Sequence, residues 1–160
     1  MTTYEGELIA PRDGRFAIVA ARFNELVVNA LLAGCVETFE RLGVTSERLD
    51  VFRVPGSFEI PLTARKLAMS GRYSAVICLG CVIRGETGHY DHVAGQASAG
   101  VMQAGLAADL PVVFGVLTTD TVEQALNRAG LKSGNKGSEA ALAAIELVNL
   151  HAKIAAFARG

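Results

Sequence analysis

Ala75-Val76-Ile77-Cys78-Leu79-Gly80-Cys81-Val82-Ile83 runs without a single charged or amide side chain. Three shorter runs share its character: Phe16 to Ala21 (FAIVAA), Leu49 to Val54 (LDVFRV) and Val112 to Leu117 (VVFGVL). A strand with one wet face alternates apolar and polar residues, whereas these runs are nearly continuous. Continuity marks strands covered on both faces, and strands of that kind belong to parallel sheets.

Helical patterns fill the gaps between the runs. Asn24 is placed to cap a helix whose stripe is Val27, Leu31, Cys35, Phe39 and Leu42, stopped by Gly43. A second helix is expected from about Phe58 to Ser70, ended by Gly71. A third, from about His89 to Ala108, is rich in Gly and Ala, and its small side chains suit packing against a copy of itself. Asp120 with Glu123 suggests a capping box for a short helix that ends near Gly130. The last helix is expected from about Lys136 to Phe157. Strands alternating with helices form βαβ units with right-handed crossovers. The expectation is an α/β chain of one domain, residues 1–160: a three-layer α/β/α sandwich around a central four-stranded parallel sheet. The segment Tyr4 to Ile9 is a candidate edge strand, for its own sheet or for a neighbour's.

Composition narrows the function. The 160 residues are 51% hydrophobic and 19% charged, and the mean hydropathy is +0.33. Such a chain buries enough apolar surface to fold, and has enough left over to expect cover from other subunits. The net charge of −1 offers no basic surplus for a nucleic-acid backbone. No uninterrupted apolar run reaches the ~18 residues of a membrane span. The first residues, MTTYEGELIAPRDGR, lack the apolar core of a secretory signal. Three cysteines make no disulfide framework, so a reduced, cytoplasmic protein is expected.

In an open α/β sheet, ligands bind beyond the carboxyl ends of the strands. Phe23 and Asn24 follow the first run, Pro55 to Pro61 the second, and Arg84 to His92 the third. In the third turn, Gly85 and Gly88 leave backbone open just before a helix, where free N–H groups and the helix dipole favour an anion. Thr87 adds a hydroxyl, and Glu86 contributes only its backbone amide. Taken alone, such a turn equally well binds nothing. The His89 imidazole can move a proton either way; a lone histidine is as readily a surface or capping residue. Ser57, Phe58 and Glu59 offer a hydroxyl, an aromatic wall and backbone amides, and Phe23 a second wall for a flat heterocycle. Phe58 also reads as the first core residue of its helix. Arg128 has the planar fork that clamps a phosphate, and otherwise is a solvated charge, as is Lys136. Cys78 and Cys81 form C-x-x-C inside a strand, on opposite faces, and read as buried hydrophobes. His89, Asp91 and His92 lack the spacing of a metal site.

Together these pieces resemble the lumazine synthase family. The resemblance rests on Phe23-Asn24, Val54 to Pro61, Gly80 to Asp91, Pro111 to Thr119, Glu123-Gln124-Ala125, Arg128-Ala129-Gly130 and Gly134 to Gly137, and spans about Tyr4 to Asn149. It implies a flavodoxin-like fold and a cofactor-independent, metal-free enzyme of riboflavin biosynthesis. Such an enzyme condenses 5-amino-6-(D-ribitylamino)uracil with 3,4-dihydroxy-2-butanone 4-phosphate to 6,7-dimethyl-8-ribityllumazine, releasing phosphate and water. By resemblance, Phe23 stacks on the pyrimidine, and Ser57, Phe58 and Glu59 hold the ribityl chain. Cys81, Val82 and Ile83 meet the ring edge through backbone, Glu86 and Thr87 belong to the phosphate turn, and His89 shuttles protons. Phe114, Arg128 and Lys136 match residues given by the adjacent subunit. The family implies a homopentamer. The uninserted segment Leu131 to Gly137 resembles that of members closing twelve pentamers into an icosahedral shell, where riboflavin synthase is a candidate guest. Two other readings stand beside it: a flavodoxin-like flavin binder, disfavoured because Arg22-Phe23-Asn24 is no phosphate loop, and a catalytically silent relative.

Overall fold

The four apolar runs are the four strands of one sheet in the computed structural model, which describes all 160 residues. The strands are β1 (Phe16–Ala21), β2 (Leu49–Val54), β3 (Ala75–Ile83) and β4 (Val112–Thr119), ordered β2-β1-β3-β4 and all parallel. The register sets Val19 between Phe52 and Cys78. Burial on both faces holds for the inner strands: all of β1 is buried, and β3 is buried up to Ile83. It fails at the edges. Val51 of β2 and Phe114 and Thr118 of β4 are exposed, and β4 runs two residues past the apolar stretch because Cys81, Val82 and Ile83 pair with Leu117, Thr118 and Thr119.

Five helices cover the sheet: α1 (Glu25–Arg41), α2 (Ile60–Ala68), α3 (His89–Ala108), α4 (Val122–Arg128) and α5 (Lys136–Arg159). Alternation along the central strands separates two cores. Phe16, Ile18, Ile77, Leu79 and Cys81 face α1, α4 and α5, with Leu31, Phe39, Ala141 and Ile145. Ala17, Val19, Val76 and Cys78 face α2 and α3, with Ile60, Ala64, Val101 and Ala104. Full burial of each large aliphatic or aromatic side chain is worth about 1.5–3 kcal/mol. The fold is therefore the expected α/β sandwich of flavodoxin-like order. Cys78 and Cys81 fall in different cores, as their odd spacing demands.

Local details depart from expectation where polar side chains found better partners. Asn24 does not cap α1 with its side chain; it turns the chain in the left-handed region, φ 58°, and its amide reaches β3. The capping box of α4 lies one residue on, with Thr121 accepting from the Gln124 N–H while Gln124 reaches back. The second helix is a 3₁₀ turn, Ser57–Glu59, followed by α2 with Pro61 in its first turn. Tyr4 to Ile9 form no strand on their own sheet. They lie along α5, where Asn149 Nδ2 donates to the Glu7 and Ile9 carbonyls at 2.6 and 2.9 Å. Gly6 passes so close that a Cβ would overlap the Glu146 carbonyl. By length and composition α5 is apolar enough to cross a bilayer, but here Gly137, Ala140, Ala141, Ala144 and Ile145 are its buried face in the core with α1.

A polar lock closes the end of the sheet away from the turns just named. Arg15 Nη2 donates to both Asp50 oxygens at 2.9 and 2.8 Å, and the Tyr73 hydroxyl donates to Asp50 Oδ2 at 2.9 Å. The Arg15 hydrogen bond holds the Asp50 carboxyl below its ordinary range. A depressed carboxylate stabilises the fold above its unfolded pKa, and that contribution is lost as pH falls through the folded value. Asp50→Asn should therefore melt below the parent at pH 7, and the gap should close below about pH 4. Thermal melts at the two pH values check this; an equal gap at both would contradict it.

Candidate active site

The order β2-β1-β3-β4 creates a switch point. From β1 the chain goes to one side for β2, and β3 lies on the other. The crevice beyond the carboxyl ends of β1 and β3 is where such sheets bind ligands. Three turns shape it. The β1–β2 ladder continues past the strands, with Arg22 N–H donating to Val54 O at 2.8 Å and Phe23 N–H to Pro55 O at 3.0 Å. Asn24 then donates from Nδ2 to Cys81 O at 2.8 Å, stitching the β1 turn to β3. A non-glycine residue in the left-handed region carries a small strain, and Asn tolerates it best; the cross-strand bond offsets it. Ser57 is buried against β3 because Gly80 has no side chain: a Cβ there would lie 2.6 Å from Ser57 Oγ.

After β3, Arg84 to Gly88 lead into α3. Neither Gly85 nor Gly88 has a positive φ, and space is open where each Cβ would be. Their own chain does not demand glycine, so these glycines leave bare backbone facing solvent. Thr87 Oγ1 accepts from the His89 N–H at 3.3 Å, which closes the turn onto the helix start.

The turns enclose a hollow of about 150 Å³ lined by Phe23, Asn24, Ser57, Cys81, Val82, Ile83, Gly85, Thr87, His89, Tyr90 and Val93. It opens into a wider outer space of about 520 Å³ that adds Phe58, Glu59 and His92. Phe23 is 72% exposed and Phe58 58% exposed, a large unfilled apolar surface for two aromatic rings. The Cys81 thiol points into the core under the sheet and burial pushes it up to about 11. It is protonated at neutral pH, so Cys81 offers the hollow its backbone and no nucleophile. No group of His, Cys, Asp and Glu side chains stands close enough to hold a metal ion.

Of the residues singled out in the sequence, Phe23, Ser57, Phe58, Glu59, Cys81, Val82, Ile83, Thr87 and His89 come together around this space. Glu86 sits in the turn but does not line the hollow. Phe114, Arg128 and Lys136 stand elsewhere on the protomer. Phe114 lies on the β4 edge, Arg128 Nη1 donates to Gln124 O at 3.1 Å, and Lys136 pairs with Glu139 at 2.6 Å. Sequence reasoning missed the Asn24 stitch and the parts of Tyr90 and Val93. Val93 lies four residues after His89 on one helix face, a signal that was readable.

A profile of the 6,7-dimethyl-8-ribityllumazine synthase family matches residues 13–152. A relative bearing that enzyme's name, from Halorhodospira halophila, is 54% identical over 150 residues, covering 94% of this chain and 96% of its own length. The chain belongs to the 6,7-dimethyl-8-ribityllumazine synthase family. Its activity is the condensation step of riboflavin biosynthesis that defines lumazine synthases, and a silent flavin binder is not favoured. For a lumazine synthase the hollow is suitably plain: aromatic faces, bare backbone and one imidazole.

Proposed function

We propose that 5-amino-6-(D-ribitylamino)uracil and 3,4-dihydroxy-2-butanone 4-phosphate meet in this hollow to give 6,7-dimethyl-8-ribityllumazine. The observation that supports this is the convergence of Phe23, Ser57, Thr87 and His89 at one switch point. The pyrimidine stacks on Phe23 with its edge on the backbone of Cys81, Val82 and Ile83. The ribityl chain runs along Ser57, Phe58 and Glu59 in the outer space. The phosphate sits at the turn of Glu86 and Thr87, whose bare backbone precedes a 20-residue helix. Phe114, Arg128 and Lys136 of a neighbouring copy complete the site from its open side. Exposed Phe114 on an edge strand and the exposed Arg128 guanidinium, which bonds one backbone carbonyl and pairs with no carboxylate, fit that role.

The amine adds to the ketone and loses water as an imine forms. Phosphate then leaves, the second amine closes the ring, and a final dehydration follows. No cofactor enters these steps. Holding two small reactants in register supplies most of the rate, since positioning is worth about 7–11 kcal/mol. His89 moves protons at the attacking amine and at the leaving groups. The whole chain acts as one catalytic domain of a cytoplasmic homopentamer, with twelve pentamers closing an icosahedral shell able to enclose riboflavin synthase. The Tyr4–Ile9 segment adds an edge strand to a neighbour's sheet in that assembly.

Mixing the protein with both substrates and following lumazine fluorescence tests the reaction; no product would refute it. Light scattering tests the shell, which pentamers or decamers alone would refute. His89→Ala should be slowed by about 100-fold and stay active, at the low end of the general acid–base range because exposed water replaces an exposed imidazole. Steady-state kinetics checks it, and complete loss of turnover would contradict it.

A further inference from the structure

We infer that Arg84 is a positioning residue that holds the starts of α3 and α4 in fixed relation, so that one side chain sets both the His89 end of its own hollow and the Arg128 helix offered to a neighbour. The inference rests on the reading above, in which Arg128 reaches the adjacent hollow.

Arg84 is the first residue after β3, and its N–H donates to Thr119 O at 2.8 Å, the last residue of β4. Its side chain therefore starts at the seam between the two strands whose turns feed α3 and α4. Nε donates to Asp120 Oδ1 at 2.9 Å, and Nη1 lies 3.5 Å from Asp91 Oδ1. The guanidinium carbon lies 4.3 Å from the centre of the Tyr90 ring. Tyr90 and Asp91 follow His89 in the first turn of α3, and Tyr90 lines the hollow. Asp120 precedes the Thr121 cap, and its N–H donates to Gln124 Oε1 at 2.9 Å within the box that starts α4. One planar cation thus touches both helix starts.

Two facts separate this role from others. Arg84 does not line the hollow, and its fork is engaged by two carboxylates, so it is not a spare phosphate ligand. The ion pairs are exposed, and exposed pairs add little to stability. What the cluster supplies is placement. A lysine is a point charge without the fork or the flat face, and cannot bond Asp120 while stacking on Tyr90.

Arg84→Ala, Arg84→Lys and Arg128→Ala are to be compared as intact assemblies, with inorganic phosphate as a competitive probe. Arg84→Ala should keep the parental melting temperature and particle size. It should raise KM for the butanone phosphate about tenfold, part of the roughly 10²-fold that a misplacement of about 1 Å costs. Inorganic phosphate should inhibit it correspondingly less well, while KM for the pyrimidine stays put. Arg84→Lys should not rescue the defect. An Arg84→Ala enzyme with unchanged phosphate KM and inhibition overturns the inference. So does one with a lowered melting temperature and both KM values raised alike, which would mark a general structural residue. Arg128→Ala reports separately: if its phosphate KM is unchanged, the reading of the neighbour's arginine fails, whatever Arg84→Ala does.

Discussion

Arg128→Ala is expected to lose on the order of 10²–10⁴-fold in kcat/KM for the phosphate-bearing substrate, two charge-assisted hydrogen bonds at about 1.5–3 kcal/mol each setting the scale. The argument starts from what Arg128 does on its own protomer. It is exposed at the end of α4, makes one bond to a backbone carbonyl, and pairs with no carboxylate. Nothing in the folded protomer depends on its charge, so the variant should fold and assemble as the parent does. A phosphate carries negative charge that the turn at Thr87 meets only with neutral donors. In the proposed site, a planar fork from the next copy would supply the missing positive charge in two parallel bonds. The loss should exceed that of His89→Ala, because solvent can carry a proton but cannot replace a fixed cation. Initial rates with each substrate varied in turn provide the check. Equal loss in the two variants, or an Arg128→Ala enzyme with parental kcat/KM for the butanone phosphate, would refute the assignment.

Gly137→Ala should destabilise the protomer by about 3 kcal/mol or more, the upper end of what overpacking costs. Gly137 is buried in the first turn of α5, where a Cβ would overlap the Leu31 carbonyl of α1. A side chain that is met can rotate away; a helix backbone cannot. The surroundings leave little slack. Asn135 caps α5 by accepting from the Gly137 and Ser138 N–H groups, and its amide donates to Ala30 O and Ala129 O. Ser138 Oγ donates to Gly34 O at 3.0 Å. The Gly-Asn-Lys-Gly stretch is therefore a weld between α1, α4 and α5. Gly85→Ala is the natural contrast, since space is open where its Cβ would be. Denaturant midpoints for the two variants make the measurement, and an unchanged midpoint for Gly137→Ala would refute the overlap.

The weld also illustrates which features the sequence made legible. Apolar continuity in AVICLGCVI marked a strand covered on both faces, because nothing else explains nine such residues in a row. Leu49 to Val54 carries Asp50 and Arg53, and the structure puts it at an edge where Asp50 is locked by Arg15. Polar residues misled wherever several partners competed. Asn24 looked like a helix cap and chose Cys81 O, a carbonyl 57 residues away. Asn135 sat unremarked inside a quoted motif and turned out to cap α5 while gripping two other elements. Short-range patterns name a side chain's capacity to bond, but not which distant carbonyl the fold will bring to it. The site was legible for a topological reason: strand ends converge, so the residues just after three apolar runs had to be neighbours. Phe114, Arg128 and Lys136 stand outside the protomer's own hollow, and strand order could not single them out; only the family resemblance did.

Because β3 sends successive odd steps to opposite sides, the protein carries an inbuilt chemical gauge. Cys78 lies in one layer, Cys35 and Cys81 in the other, and burial pushes the three thiols up to about 12, about 12 and about 11. None can be alkylated at neutral pH until its layer opens. The order in which a maleimide marks Cys78 and Cys81 would tell which half of the sandwich peels away first.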